Sequence, residues 1–198
     1  MTIELRTVAA APKVRAADSG RVAAGYAAMF DSPADIGGWW IERIAPGAFA
    51  SSLNGDVRAL VDHDHGRVIG RTTAGTLRLN EDATGLAVEI DLPDTTDGRD
   101  IGTLLERGDV TGMSFGFRVT KEEWDETVEP PVRTIMAVDL HEVSIVAFPA
   151  YEATNVALRS SQSVHDERAQ RIHNKRGAAE RLRRKANLDH RMRGMGGR

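Results

Sequence analysis

The sequence predicts an α+β domain, mostly β, followed by a charged tail. Three observations carry this. Apolar and polar residues alternate at period two in several short runs, such as Leu86-Ala87-Val88-Glu89-Ile90-Asp91-Leu92, the pattern of a strand with one buried face. Helical spacing is confined to about two stretches. Charge also divides the chain: residues 160–198 hold 11 Lys+Arg and 4 Asp+Glu, a net +7, whereas the first 159 hold 15 and 25, a net −10. That opposition assigns body and tail separate roles and places a boundary in the polar stretch Arg159-Ser160-Ser161. The expected organisation is an N-terminal arm over 1–21, a folded body over 22–159 and a basic tail over 160–198.

Element by element, residues 1 to 20 are Ala-rich and weakly patterned, an arm or a first edge strand. Val22 to Phe30 reads as a strand stopped by Asp31-Ser32-Pro33. Trp39 to Ile44 is a second extended run. Pro46-Gly47-Ala48-Phe49 predicts a short helix ending near Asn54-Gly55, since Pro suits a first turn and Gly an end. Val57 to Val61 is an apolar strand running into Asp62-His63-Asp64-His65. Thr76 to Leu79 and Leu86 to Leu92, separated by turn residues, form a hairpin. Asp97 to Arg107 sets Ile101, Leu104 and Leu105 at helical spacing, and Gly108 ends it. Thr111 to Val119 alternates again. The acidic Lys121 to Arg133, with Pro130-Pro131, reads as a loop or loose hairpin tip. Thr134 to Phe148 is the longest apolar stretch, and Val164 to Asn187 reads as a charged helix or disordered arm. Such a body favours a barrel or sandwich.

Composition excludes several chemistries. The 198 residues contain no cysteine, so disulfides, a thiol nucleophile and a thiolate zinc site are ruled out. No uncharged apolar run approaches the roughly 18 residues of a membrane span. Met1-Thr2-Ile3-Glu4 brings an early acid with no apolar stretch behind it, so no secretory signal is expected and the protein reads as soluble and intracellularly made.

Candidate chemistry lies on three segments. In Gly112-Met113-Ser114-Phe115-Gly116-Phe117-Arg118-Val119, alternation puts Met113, Phe115, Phe117 and Val119 on a core face. Ser114 shares the other face with Gly112, Gly116 and Arg118, where flanking glycines leave it uncovered and open to another chain's backbone. The plain alternative is a surface serine beside strand glycines. Directly after a strand, His63 suits a general base, because imidazole exchanges protons near neutral pH. Were the segment extended, His63 and His65 would share a face, as a two-imidazole metal chelate requires. The plain alternative is a polar loop. Glu142 interrupts the apolar Leu140-His141-Glu142-Val143-Ser144-Ile145-Val146, on the face of Leu140, Ser144 and Val146. Either it points to water from an edge strand, or it is buried and needs a partner such as a histidine. His141, His165, His173 and His190 are scattered, the last three in the tail. Together the three segments supply serine, histidine and carboxylate, the minimum kit for acyl transfer.

Several short segments, in order, resemble the prohead (capsid maturation) protease family of tailed bacteriophages and related gene-transfer particles. They are Gly25-Tyr26-Ala27-Ala28-Met29-Phe30, Glu42-Arg43-Ile44-Ala45-Pro46-Gly47-Ala48-Phe49, His63-Asp64 with Ile69-Gly70-Arg71-Thr72, and Gly85-Leu86 with Asp91-Leu92-Pro93. Arg107-Gly108-Asp109-Val110, Met113-Ser114-Phe115-Gly116-Phe117, Glu142-Val143-Ser144 and Phe148-Pro149-Ala150-Tyr151 complete them. The resemblance covers about residues 22 to 159. It implies a serine endopeptidase with a small closed β-barrel flanked by helices, similar to the herpesvirus assemblin proteases. Ser114 matches the nucleophile of the Ser-Phe-Gly-Phe motif and His63 the general base of the His-Asp motif. Glu142, in the Glu-Val-Ser motif, is the choice for third member; the herpesvirus relatives use a second histidine, but His141 should face away. His65 stands where the family often has another residue and is treated as incidental.

No cofactor or metal is implied. The implied partners are the major capsid protein or its scaffold segment and further copies of the protease, inside the assembling prohead in the host cytoplasm. The basic tail falls outside the resembling region. It reads as a solvated helix first, then as a protein contact such as a spacer to scaffold or portal, with nucleic acid last, because its arginines lack interleaved aromatics. Two other readings stay open: a non-catalytic capsid-assembly module, and a metal-dependent hydrolase using His63 and His65.

Overall fold

In the computed structural model the described residues are 3–9, 12–17, 20–148, 164–166, 168–174, 180 and 183. The chain divides into two compact units, Met1–Ser160 and Ser161–Arg198. The second is helical at residues 164–166, 168–174, 180 and 183. The remainder of the stretch expected as helix or disordered arm, and the motif ending at Tyr151 beyond Phe148, lie outside the described residues.

The first unit is built from strands β1 (Glu4–Val8), β2 (Lys13–Ala17), β3 (Gly20–Met29), β4 (Ala34–Ile36), β5 (Trp40–Ile44), β6 (Arg58–Val61) and β7 (Asp64–Arg71). After these come β8 (Leu77–Glu81), β9 (Gly85–Asp91), helix α1 (Thr96–Arg107), β10 (Gly112–Asp125) and β11 (Val132–Val146). A 3-10 turn covers Thr72–Ala74. One sheet has seven strands in the order β1-β10-β11-β5-β4, with β6 also on β11 and β7 on β6. The other has four, β2-β3-β9-β8, all antiparallel. Between the sheets lies an apolar cluster that includes Ala27, Phe49, Leu86, Ile90, Phe115, Phe117 and Ile145. Met113, Phe115 and Phe117 are buried as their alternation predicts. The Phe115 and Phe117 rings stack with centroids 4.8 Å apart, and Phe49 meets Phe115 edge-on at 5.5 Å.

The expected closed barrel is not formed. The first sheet ends at β1, at β4 and, on its branch, at β7, and the second ends at β2 and β8; no ladder joins these ends among the described residues, so the sheets stay open. The mostly β, α+β class holds. The helix expected after Pro46 is also absent. Residues 46–54 are successive turns closed by single bonds such as Ala50 N–H to Gly47 O (3.2 Å) and Ser52 N–H to Phe49 O (2.8 Å). Gly47 has φ 85°, in the left-handed region that ends a right-handed helix. The acidic segment expected as a loop or loose hairpin tip is a hairpin end: it is strand as far as Asp125, because Lys121 to Asp125 pair with the start of β11 and Trp124 packs edge-on against Trp40 at 5.7 Å, and the tip is residues 126–131.

The second helix is as expected. Thr95 caps α1 by accepting the Gly98 N–H (3.3 Å), and Gly108, with φ 79°, returns its N–H to the last carbonyls.

Candidate active site

The long strand β11 organises the site. One edge is covered along its length by β10; the other carries β5 at its start, Val132 to Ile135, and β6 near its end, Glu142 to Ile145, both parallel. Glu142 is therefore in a central strand and is 6% exposed, which removes the edge-strand reading. Opposite Glu142 across the sheet is Gly116, and opposite Ser144 is Ser114. These four residues share one face of the β10–β11 ladder.

A bulge sets that face. Gly116 pairs with Glu142 but Phe117 pairs with Leu140, leaving His141 as the extra residue. Leu140 thus goes with Phe117 into the core, and Glu142 goes with Gly116 to the opposite side. The expectation that Leu140 and Glu142 share a face is overturned by this one inserted residue. His141 itself lies 3.6 Å from Asp139.

β6 and β7 are joined by a two-residue turn, Asp62-His63, with φ 50° and 59°. Two consecutive left-handed residues are the signature of the hairpin turn that matches strand twist, and they occur here without glycine. β11 holds the turn down: Asp62 N–H donates to Ile145 O (3.0 Å), Asp62 Oδ1 accepts the Ala147 N–H (3.1 Å) and His63 N–H donates to Ser144 Oγ (3.2 Å). Left-handed backbone in a non-glycine residue costs free energy that surrounding contacts must over-determine. Because His63 lies in the turn and His65 in β7, the shared extended face that a two-imidazole chelate needs does not exist.

The turn delivers the imidazole to the carboxylate. His63 Nδ1 is 2.7 Å from Glu142 Oε1, with the histidine side chain 25% exposed. Ser144 Oγ donates to the other carboxylate oxygen, Oε2, at 2.6 Å. With Nδ1–H donated to Glu142, His63 Nε2 carries the lone pair and is the atom able to take a proton. Gly116 makes room for this arrangement: a Cβ there would lie 3.2 Å from both Cγ and Cδ of Glu142 and far inside contact distance of Oε1.

Ser114 is 0% exposed, so neither the uncovered strand serine nor the surface serine describes it. Its hydroxyl donates to the Arg6 carbonyl (2.9 Å) and accepts from Thr7 Oγ1 (3.2 Å), both on β1, which pairs antiparallel with β10 along Met113 to Phe117. Among the described residues no hydrogen bond links Ser114 to His63. All three expected site residues therefore belong to one face of the first unit, but only His63 and Glu142 touch.

Behind this ladder, on its core side, β1 is anchored by buried charge. Arg6 bonds Glu4 (2.8 Å) and Glu42 (2.9 Å), and Arg133, 2% exposed, bonds Glu4 and Glu42 (both 2.8 Å) and Glu122 (2.7 Å). Burial pushes the Glu42 carboxyl up, but the charges and hydrogen bonds of Arg6 and Arg133 outweigh it, so its pKa lies below the ordinary 4.5. The sequence reading gave Gly116 a place beside Ser114 but none against Glu142, and it gave Ser144 no role, although Ser144 was legible as sharing Glu142's face. β1 stands at the sheet's end, as the first-edge-strand alternative for residues 1 to 20 has it, but its pairing with the Ser114 strand had no signal.

No group of three or more His, Asp or Glu able to hold a metal occurs among the described residues, and no described helix is long and apolar enough to cross a membrane.

Comparison with known proteins agrees with the family resemblance. Residues 10–168 match the family model for the caudovirus prohead serine protease. The chain is 33% identical over 107 residues to the prohead protease of Escherichia phage T5, covering 54% of this chain and 48% of the relative. It is 32% identical over 142 residues to that of Enterobacteria phage HK97, covering 69% and 59%. The chain thus spans about half to three-fifths of the length of these curated relatives. No solved structure matches it. With the match running from residue 10 to residue 168, the chain belongs to the caudovirus prohead serine protease family.

Proposed function

We propose that the protein is a serine endopeptidase that cleaves capsid or scaffold segments, and itself, during prohead maturation. Ser114 is the nucleophile, His63 the general base and Glu142 the carboxylate that orients it. The observation that carries this reading is the His63 Nδ1–Glu142 Oε1 contact of 2.7 Å on the face that holds Ser114. A carboxylate on Nδ1 fixes the tautomer and stabilises the imidazolium formed when Nε2 takes the serine proton. The Ser114 oxygen then attacks a peptide carbonyl, and the proton passes to the leaving amine. Water, deprotonated by the same imidazole, releases the acyl group. For this the Ser114 hydroxyl must exchange its bond to Arg6 O for one to His63 Nε2, a change of rotamer and of cover.

The acidic body, residues 22–159, would carry the activity, and the basic tail, 160–198, would contact scaffold, portal or another protein. The reaction would take place inside the assembling prohead, in the host cytoplasm, among packed copies of the protease.

The test is intact mass over time for wild type and Ser114→Ala, each alone and with the cognate capsid protein. Fragments with wild type alone are expected, and Ser114→Ala and His63→Ala should lower turnover by roughly 10⁴ to 10⁶, with Glu142→Gln less damaging. Equal fragmentation by Ser114→Ala would refute the nucleophile; unprocessed masses in every sample would favour an assembly module.

A further inference from the structure

We propose that the edge of β10 beside Ser114 is the docking groove for the extended main chain of the substrate, and that β1 occupies this groove as a resident strand that substrate must displace. The inference rests on Ser114 being the nucleophile.

β10 has two edges. β11 covers one for its whole length, and β1 covers the other only from Met113 to Phe117, a stretch that includes Ser114. With β1 lifted, that stretch presents unpaired N–H and C=O groups, a template for an added antiparallel strand. A protease acting on an extended chain needs its backbone aligned within about 3–3.5 Å of the nucleophile. β1 has this placement: Thr7 stands directly opposite Ser114 and the Arg6 carbonyl oxygen is 2.9 Å from Ser114 Oγ. A substrate strand cannot take the same position while β1 holds it, and Ser114 is fully buried with β1 in place.

The resident strand is held without being attacked. The Ser114 proton is committed to the Arg6 carbonyl oxygen, and a second hydroxyl, from Thr7, occupies the serine oxygen's lone-pair side. The imidazole that would activate the nucleophile has no bond to it. Retention comes from the other face, where Glu4 and Arg6 join the buried charges of Glu42 and Arg133.

Because the chain has no cysteine, β1 can be locked by a single engineered disulfide. Val8 and Met113 are direct cross-strand partners, and such pairs have Cα atoms about 4.5–5.5 Å apart, within disulfide reach. Full-length Val8→Cys/Met113→Cys and full-length Arg6→Ala are treated with a fluorophosphonate, and labelling of Ser114 is followed by peptide mass. Oxidation of the double variant should slow labelling by about tenfold or more relative to its reduced form, since access follows the population of the open state. Arg6→Ala should label faster than wild type. Because oxidised and reduced forms differ by one bond in the same protein, the comparison stands if Arg6→Ala folds poorly. Labelling that occurs at equal rates in the oxidised and reduced forms overturns the occlusion and leaves the nucleophile standing. Absence of labelling in every form overturns the nucleophile, and the occlusion with it.

Discussion

Replacing Gly116 by alanine tests the site through a residue that does no chemistry. The backbone there is ordinary strand, so alanine is not strained by conformation. The obstacle is the Glu142 side chain: the new Cβ would sit 3.2 Å from its Cγ and Cδ and well inside contact with Oε1. Relief requires the carboxylate to retreat by about 1 Å, given that carbon contacts are optimal at about 3.5–4.0 Å. Oε1 is the oxygen that holds His63 Nδ1 at 2.7 Å, so the retreat breaks the pair that aims the imidazole. A misplacement of about 1 Å costs on the order of 10²-fold in rate, while overpacking costs about 1–3 kcal/mol of stability. Both are measurable, by kcat and KM for cleavage of the cognate capsid protein and by thermal melts. The decisive comparison is made on a Glu142→Ala background, where the three atoms nearest the added methyl are gone. There Gly116→Ala should change kcat little, and the non-additivity reports the contact. Full activity in the single variant, or the same fractional loss on both backgrounds, would refute the steric account.

The other expectations follow from neighbouring contacts. Ser144→Ala removes the donor to Glu142 Oε2 and the acceptor of His63 N–H; hydrogen bonds to charged groups are worth about 1.5–3 kcal/mol, so kcat should fall roughly tenfold or more, with peptide kinetics as the readout. Glu42→Ala strands Arg6 and Arg133 among fewer carboxylates and should cost about 3–5 kcal/mol in denaturant melts. Hydrogen bonds from Arg71 hold the exposed Asp56 at about 2, against 3.8. A carboxyl lowered on folding stabilises fully above its unfolded value and loses that contribution as pH falls through the folded one, so Asp56→Asn should flatten the pH dependence of stability between about pH 4 and 2.

Much of this was legible because it depends on local periodicity. The hairpin β8–β9, helix α1 with Gly108 at its end, and the buried face of Met113, Phe115 and Phe117 each follow from spacing alone. Ser114, His63 and Glu142 were legible as residue types in ordered motifs. What was missed depends on partners distant in sequence. Nothing in a weakly patterned run announces that Glu4 and Arg6 will meet Arg133, some 130 positions on. The turn at Asp62-His63 adopts left-handed geometry without glycine, and the cost is met by β11 rather than by local residues. Pro46 to Gly55 carried helix signals that Gly47 overrode by its own conformation.

The bulge at His141 gives that position an unusual kind of freedom. Phe117 and Gly116, the ladder partners of Leu140 and Glu142, are neighbours on β10, so opposite sides for the core side chain and the carboxylate follow from the register, and His141 is the residue left over. Substitution of His141 leaves the register intact and should be absorbed at this half-exposed place. Deletion would leave Leu140 and Glu142 as neighbours, on opposite sides of the strand as they are now, and would turn the bulge into regular ladder. What the position adds is therefore the local bend and twist of a bulge, not the assignment of the two faces.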